Sequence, residues 1–304
     1  MFEPIVDDIK RTFQSGNMIS KLIIINFAVF LVVLILGIFI KGSDPSGETY
    51  QLLFRNLAIS SEGRDVLKKP WTLITHMFFH EGLWHLVWNM LLLYWFGRIV
   101  GDFIGDSRVL PVYIMGGLFA IAVYYLFAKV GFIGSSTALG ASGAVMAIIS
   151  AAAFISPNYS MRLFIIGDVT LKYIVLFLII MDLVGISAMD NTGGHIAHLG
   201  GVVFGALFVN LLRQGTDLAD GFNHFFDAIG AIFEKKTVEK KKSPLTVSHK
   251  AKVITQKRSK GNSVSDESVP YQEKLDEILD KIKKDGYDNL TDEEKEFLFQ
   301  ASKR

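Results

Sequence analysis

Residues 140–155 read GASGAVMAIISAAAFI, a serine framed by glycines and followed by an apolar run. A run of this kind is typical of a buried or membrane-embedded helix. Ser142 therefore lies at the mouth of such a helix, where little water is present. Two other apolar segments also carry polar side chains near their starts: His85 and Asn89 in one, and His198 in the other. The pattern predicts a polar site inside a helical membrane protein.

The composition also favours a membrane protein, since 50% of the 304 residues are hydrophobic. The chain has no cysteine, which excludes disulfides, thiolate nucleophiles and cysteine-bearing zinc sites. Residues 235–260 carry ten Lys or Arg and one Glu. Such a stretch suits the surface of an anionic bilayer better than a nucleic-acid site. We expect the lipid bilayer as a partner and no nucleic acid.

Six segments are expected to span the membrane, because a bilayer core needs roughly 20 apolar residues per helix. They are residues 22–40, 83–103, 110–128, 140–156, 172–188 and 195–212. The predicted fold class is all-α, namely a polytopic membrane protein with a bundle of six transmembrane helices and a small C-terminal helical pair.

Four regions are expected along the chain. They are an N-terminal amphipathic segment at 1–20, the six-span core at 21–213, an amphipathic stretch and basic flexible linker at 214–269, and a small helical appendage at 270–304. The partner of the appendage is unknown. An even number of spans places both termini on one face, which the basic residues predict to be cytoplasmic. We expect a multi-pass protein of the plasma (inner) membrane, with its site opening to the outer face.

This topology brings the polar groups to one depth, because spans two, four and six all begin at the outer face. A serine hydroxyl becomes nucleophilic when a base takes its proton, and His198 is the expected base for Ser142. His85 and Asn89 lie four residues apart on one helical face and are expected to donate hydrogen bonds to an oxyanion. The grouping predicts acyl transfer.

Small residues are expected to let spans four and six approach closely. Gly201 and Gly205 share a helical face with His198. Gly143 belongs to the facing groove of span four, and Gly140 permits a tight entry into that span. This contact predicts that His198 comes within hydrogen-bond reach of the serine.

The other polar residues near these segments receive lesser roles. His80 and His76 are expected to hold hydrogen bonds and water near the site, although their spacing leaves a metal site open. His195 is interpreted as peripheral, because the glycine face points to His198. Asp182 is assigned no role. Since no carboxylate is expected beside the base, the sequence predicts a Ser–His dyad.

These residues resemble the motifs of the rhomboid family of intramembrane serine proteases. The motifs are HMFFH at 76–80 with His85 and Asn89, GASG at 140–143, and AHLGG at 197–201 with Gly205. The resemblance implies Ser142 as nucleophile and His198 as base. It assigns His85 and Asn89 to the oxyanion hole. It also implies a bacterial member of the family, single-pass transmembrane protein substrates, and no metal or cofactor.

Two alternatives stay open. A catalytically inactive relative would bind membrane clients without cutting them, and a reactive-serine probe separates it from a protease. A transporter would instead use the histidines as ion ligands, and chelation tests that function. The histidines concerned are His76, His80, His85, His195 and His198.

Overall fold

The computed structural model describes residues 3–44, 46–163, 167–233, 268–285 and 289–301. The chain divides into two compact units, Met1–Lys236 and Thr237–Arg304. The flexible linker predicted within 214–269 falls mostly on residues outside the described ranges.

Helices dominate the first unit. They are α1 (Glu3–Ser15), α2 (Met18–Ser43), α3 (Glu48–Leu57), α4 (Gly63–Lys68), α5 (Thr72–Thr75), α6 (Leu83–Ile104), α7 (Val109–Lys129), α8 (Ser142–Ile155), α9 (Leu171–Ser187), α10 (Thr192–Arg213) and α11 (Leu218–Phe233). Antiparallel strand pairs join β1 (Ile59–Ser60) to β2 (Thr137–Ala138) and β3 (Ser160–Leu163) to β4 (Gly167–Thr170). Short 3-10 turns at His76–Phe78 and Asp106–Arg108 precede α6 and α7.

The all-α polytopic membrane fold is confirmed, and a helix occupies each of the six predicted segments. Within the described residues, three stretches are long and apolar enough to cross a membrane on length and composition alone: Met18–Ser43, Asp106–Lys129 and Thr192–Arg213. Helices α8 and α9, with 14 and 17 residues, are shorter than the roughly 20 residues that a bilayer core needs.

Helix α8 lies at the centre of the bundle, which explains how a short helix is accommodated. Residues 144–153 are all buried, and α8 contacts α6, α7, α9 and α10. Because protein rather than lipid surrounds it, the chain beyond its ends can satisfy its backbone groups with protein partners. The first residue of this buried helix is Ser142.

Glycines on α10 set the distance between α8 and α10. A Cβ atom added at Gly201 would come closer than 3.0 Å to the carbonyl oxygen of Gly143, and one at Gly205 would meet the carbonyl oxygen of Ala147. The two helices are also joined by Ser150, whose Oγ donates a hydrogen bond to the backbone oxygen of Val202 at 2.7 Å. Small residues allow this close packing between membrane helices.

The outward faces of α2 and α9 are apolar, as expected of helices that contact lipid. The exposed side chains are Leu31, Val32, Leu34, Ile35, Ile38 and Phe39 on α2, and Leu176, Phe177, Ile180, Met181, Leu183 and Val184 on α9. In water such a surface would be an unusually large apolar patch.

The second unit contains α12 (Ser268–Asp285) and α13 (Asp292–Ala301). The N–H of Thr291 donates to Oε2 of Glu294 at 2.7 Å, and the N–H of Glu294 donates to Oγ1 of Thr291 at 3.3 Å. This reciprocal pair is a capping box. Lys281 on α12 binds the same Glu294 carboxylate at 2.8 Å, which ties the two helices together.

Candidate active site

A cavity of about 780 Å³ lies among α6, α7, α8, α9 and α10. It brings together most of the site residues predicted from the sequence, namely His85, Asn89, Gly140, Ser142, Gly143 and His198. The other three predicted residues contact α8 or its entry: His80 bonds to Ala141, and Gly201 and Gly205 pack against the α8 backbone. Asp182 also lines the cavity.

The turn that precedes α8 is held by two histidines. Gly140 has a φ of +103°, in the left-handed region that favours glycine. Its N–H donates to the backbone oxygen of His76 at 2.8 Å, and the next N–H, of Ala141, donates to Nε2 of His80 at 3.3 Å. These contacts fix the backbone that presents Ser142 to the cavity.

Both histidines are neutral supports rather than charged groups. Nδ1 of His76 donates to the backbone oxygen of Thr72 at 2.8 Å. Burial lowers the pKa of His76 to about 4. Burial also lowers the pKa of His80 to about 4, and the nearby His85 contributes in the same direction. They therefore act as the hydrogen-bonding residues that the sequence predicted beside the site.

The ring of His85 lies against the α8 turn. A Cβ atom at Gly140 would come within 2.8 Å of this ring, so a side chain at that position would displace it. The rings of His80 and His85 meet edge to face, with centroids 5.1 Å apart. The neighbouring Asn89 is only 5% exposed and donates through Nδ2 to the backbone oxygen of His85 at 2.8 Å. An amide has a second N–H, which stays available for a ligand.

The base candidate is bonded to a carboxylate. Nδ1 of His198 lies 2.8 Å from Oδ1 of Asp182, and Asp182 is only 5% exposed. A carboxylate oxygen accepts a hydrogen bond from a ring N–H, so Nδ1 is the donor in this contact and Nε2 is left free of it. The expectation that no carboxylate lies beside His198 is therefore wrong.

The physical reason is the turn between α9 and α10. The two helices are consecutive. Asp182 lies about as far before the turn as His198 lies after it. The two side chains therefore come level across the pair. A lone carboxylate in an otherwise apolar helix is costly and needs a partner. The matched distance from the turn is the signal that the sequence offered for this contact, but it does not show which helix faces meet.

His195 is a second partner of the same carboxylate, with Nδ1 also 2.8 Å from Oδ1 of Asp182. Within the described residues, Asp182, His195 and His198 form a group whose potential metal-binding atoms all lie within 4.8 Å of one another. Their spacing is that of hydrogen bonds from two ring nitrogens to one oxygen. His195 is thus linked to the site. The prediction that it is peripheral is wrong.

The predicted hydrogen bond between Ser142 and His198 is not formed among the described residues. The two side chains line the same cavity, but the His198 ring is held toward α9 by Asp182. In a free enzyme such a contact is often long and tightens when substrate binds.

Comparison with known proteins identifies two regions. Residues 67–215 match a family model described as the rhomboid domain. Residues 264–304 match a second model, described as a family of unknown function (DUF6576).

Three relatives illustrate the similarity. RHOMBOID-like protein 12, mitochondrial, of Arabidopsis thaliana is 31% identical over 158 residues, or 47% of this chain and 47% of the relative. Rhomboid protein 1, mitochondrial, of Saccharomyces cerevisiae is 28% identical over 152 residues, or 48% and 42%. The human presenilin-associated rhomboid-like protein, mitochondrial, is 30% identical over 160 residues, or 49% and 39%. The chain spans less than half the length of each of these relatives.

These relatives correct the predicted location. All three are named as mitochondrial, which contradicts the predicted location in a plasma membrane. Basic residues orient helices across a bilayer, but they do not identify which membrane contains them.

Proposed function

We propose that this chain, which carries a rhomboid domain at residues 67–215, is an intramembrane serine endopeptidase that hydrolyses peptide bonds of transmembrane proteins. The observation that carries the proposal is the position of His198. Its Nδ1 is bonded to Asp182, and its side chain lines the same cavity as Ser142 at the start of a buried helix.

Ser142 is the proposed nucleophile and His198 the general base. The Oγ atom attacks the scissile carbonyl carbon while Nε2 of His198 takes the hydroxyl proton. Asp182 accepts the N–H of Nδ1 and so keeps the lone pair on Nε2. It also stabilises the imidazolium that forms.

The attack creates a negatively charged oxygen that needs donors in place. The free N–H groups at the start of α8 and the positive end of its dipole supply one part. Asn89 and His85 supply side-chain donors from α6. A single donor of this kind contributes about 3–4 kcal/mol to transition-state stabilisation.

Collapse of the tetrahedral intermediate breaks the C–N bond, and the imidazolium returns its proton to the leaving amine. The acyl group stays on Ser142 as an ester. Water then enters, loses a proton to His198 and attacks the ester carbonyl, which releases the acid and restores the hydroxyl. The cavity has room for this water and offers it polar partners.

The proposed substrates are single-pass transmembrane proteins. The cavity lies in the same bundle as the lipid-facing helices. A substrate helix must unwind locally, and so lose helical hydrogen bonds, before Ser142 can reach one of its peptide bonds. A segment that unwinds easily near the membrane surface meets this requirement. Metal ions and organic cofactors have no part in the proposed reaction.

The proposal is tested by reconstituting the protein in liposomes with a labelled single-pass substrate. Ser142→Ala and His198→Ala are each expected to reduce cleavage by at least about 10³-fold. The matched controls are Ser187→Ala and His224→Ala, which change exposed residues on α9 and α11 that do not line the cavity. Both controls should cleave at the wild-type rate. Undiminished cleavage by Ser142→Ala would overturn the proposal.

A further inference from the structure

The two carboxylate oxygens of Asp182 have different hydrogen-bond partners. Oδ1 lies 2.8 Å from Nδ1 of both His195 and His198. Oδ2 is buried and has no hydrogen-bond partner among the described residues. A carboxylate that binds one donor can turn about its side-chain bond and offer either oxygen. A second donor on the same oxygen selects one orientation.

The ring of His195 is itself held in place. It packs against Gly185 on α9, where an added Cβ atom would come closer than 3.0 Å to three of its ring atoms. The rings of His195 and His198 meet edge to face, with centroids 5.8 Å apart and planes at 86°. The absence of a side chain at Gly185 therefore lets α10 bring both histidines to one oxygen.

His195 does not reach the reacting groups directly. Among the described residues that line the cavity are Asp182 and His198, but His195 is not one of them. The contacts of His195 that lead toward Ser142 are thus its hydrogen bond to the carboxylate and its edge-to-face contact with the His198 ring.

We propose that His195 is a positioning residue for the hydrolysis: by donating from Nδ1 to Oδ1 of Asp182, it fixes the carboxylate in the orientation that holds the His198 base. The proposal rests on the proposed function, since it assumes that His198 activates Ser142. Gly185 belongs to the same device because it gives the His195 ring its space.

The test uses the full-length protein in liposomes and measures covalent labelling of Ser142 by a fluorophosphonate. The maximal labelling rate (kinact) reports activation of the serine, and the half-saturating probe concentration (KI) reports probe binding. His195→Leu removes the donor, whereas His195→Asn keeps an N–H close to the position of Nδ1. His224→Leu is the matched control, since it changes an exposed histidine on α11.

The expected result is a selective loss of kinact. His195→Leu should lower kinact by at least about tenfold with KI unchanged, as is usual when a supporting partner of an active-site group is removed. His195→Asn should recover most of this loss. Gly185→Ala should behave like His195→Leu, because the new methyl group pushes the ring away from the carboxylate. His224→Leu should match the wild type.

A double-mutant cycle separates positioning from a general structural role. In an Asp182→Asn background, adding His195→Leu should change kinact by less than about twofold, because the residue acts only through the carboxylate. An equal loss in both backgrounds would overturn the proposal, as would a His195→Asn variant as slow as His195→Leu. If Ser142 of the wild-type protein is not labelled at all, the result contradicts the proposed function, and this inference is then contradicted as well.

Discussion

Nδ1 of His198 and Oδ1 of Asp182 lie 2.8 Å apart, and both side chains line the cavity that contains Ser142. This contact joins a carboxylate on α9 to a histidine on α10. It fixes which ring nitrogen carries the proton, and a histidine needs that feature to act as a general base. In the proposed mechanism, the short helix α9 therefore contributes a side chain to the reaction as well as packing surface to the bundle.

The first prediction concerns Asp182→Asn. An amide can accept from Nδ1, but it no longer forces the tautomer and no longer stabilises the imidazolium. We expect kcat for substrate cleavage to fall by about 10²–10⁴-fold with KM little changed. The measurement is steady-state cleavage in liposomes.

The control for this prediction is Asp190→Asn, which neutralises an exposed carboxylate after the end of α9. It should retain wild-type kcat. Equal losses in the two variants would mean that charge near α9, and not the contact with His198, is responsible.

A second prediction concerns the approach of α8 and α10. Gly201→Ala places a methyl group against the carbonyl oxygen of Gly143, so the helices must separate. We expect a lower midpoint of thermal unfolding, equivalent to about 1–3 kcal/mol, together with a loss of cleavage. Gly221→Ala on α11 has open space around its new Cβ atom and should leave both quantities unchanged. Wild-type stability in Gly201→Ala would contradict the packing described.

A third prediction concerns the turn before Ser142. Gly140→Ala would place a side chain at a φ of +103° and against the ring of His85. We expect a cost of about 1–3 kcal/mol in stability and a fall in kcat, because the serine and the oxyanion donors lose their relative placement. Gly134 lies in a loop, with open space around it and without a positive φ. Gly134→Ala should therefore leave both stability and kcat unchanged. Circular dichroism melts and cleavage rates measure the two effects.

The fourth prediction is a pH dependence of stability. Burial lowers the pKa of His76 from 6.5 to about 4 in the folded protein, and His80 shifts in the same way. Between these values the unfolded chain binds more protons than the folded chain, so the free energy of unfolding falls as pH drops from about 6.5 toward 4. The loss approaches about 3.4 kcal/mol for each histidine below pH 4, and nearly full stability is kept well above pH 6.5.

Thermal unfolding measured across this pH range checks the prediction. His76→Asn keeps an N–H for Thr72 but does not titrate, so its melting midpoint should depend less on pH than that of the wild type. His224→Asn changes an exposed histidine and should follow the wild-type curve. A His76→Asn curve parallel to wild type would contradict a neutral, buried His76.

The sequence predicted the fold well because membrane spans depend mainly on long apolar runs. The turn at Gly140 and the small residues at Gly201 and Gly205 were also visible, because glycine has few other uses beside a polar residue in a membrane helix. Such features are local, or they repeat along one helix face.

The contacts of Asp182 were not predicted, because they depend on how two helices are rotated about their axes. The sequence shows that α9 and α10 are neighbours, but not which faces meet. The same uncertainty made His195 look peripheral, whereas Gly185 admits its ring beside the carboxylate. The identity of the membrane was also out of reach, since charge sets orientation only.

The most direct test is to treat the reconstituted protein with a fluorophosphonate and to locate the modified residue by peptide mass spectrometry. The account predicts a single modified residue, Ser142, with no labelling after His198→Ala and normal labelling after His224→Ala. Modification of another serine, or undiminished labelling of Ser142 without His198, would contradict it.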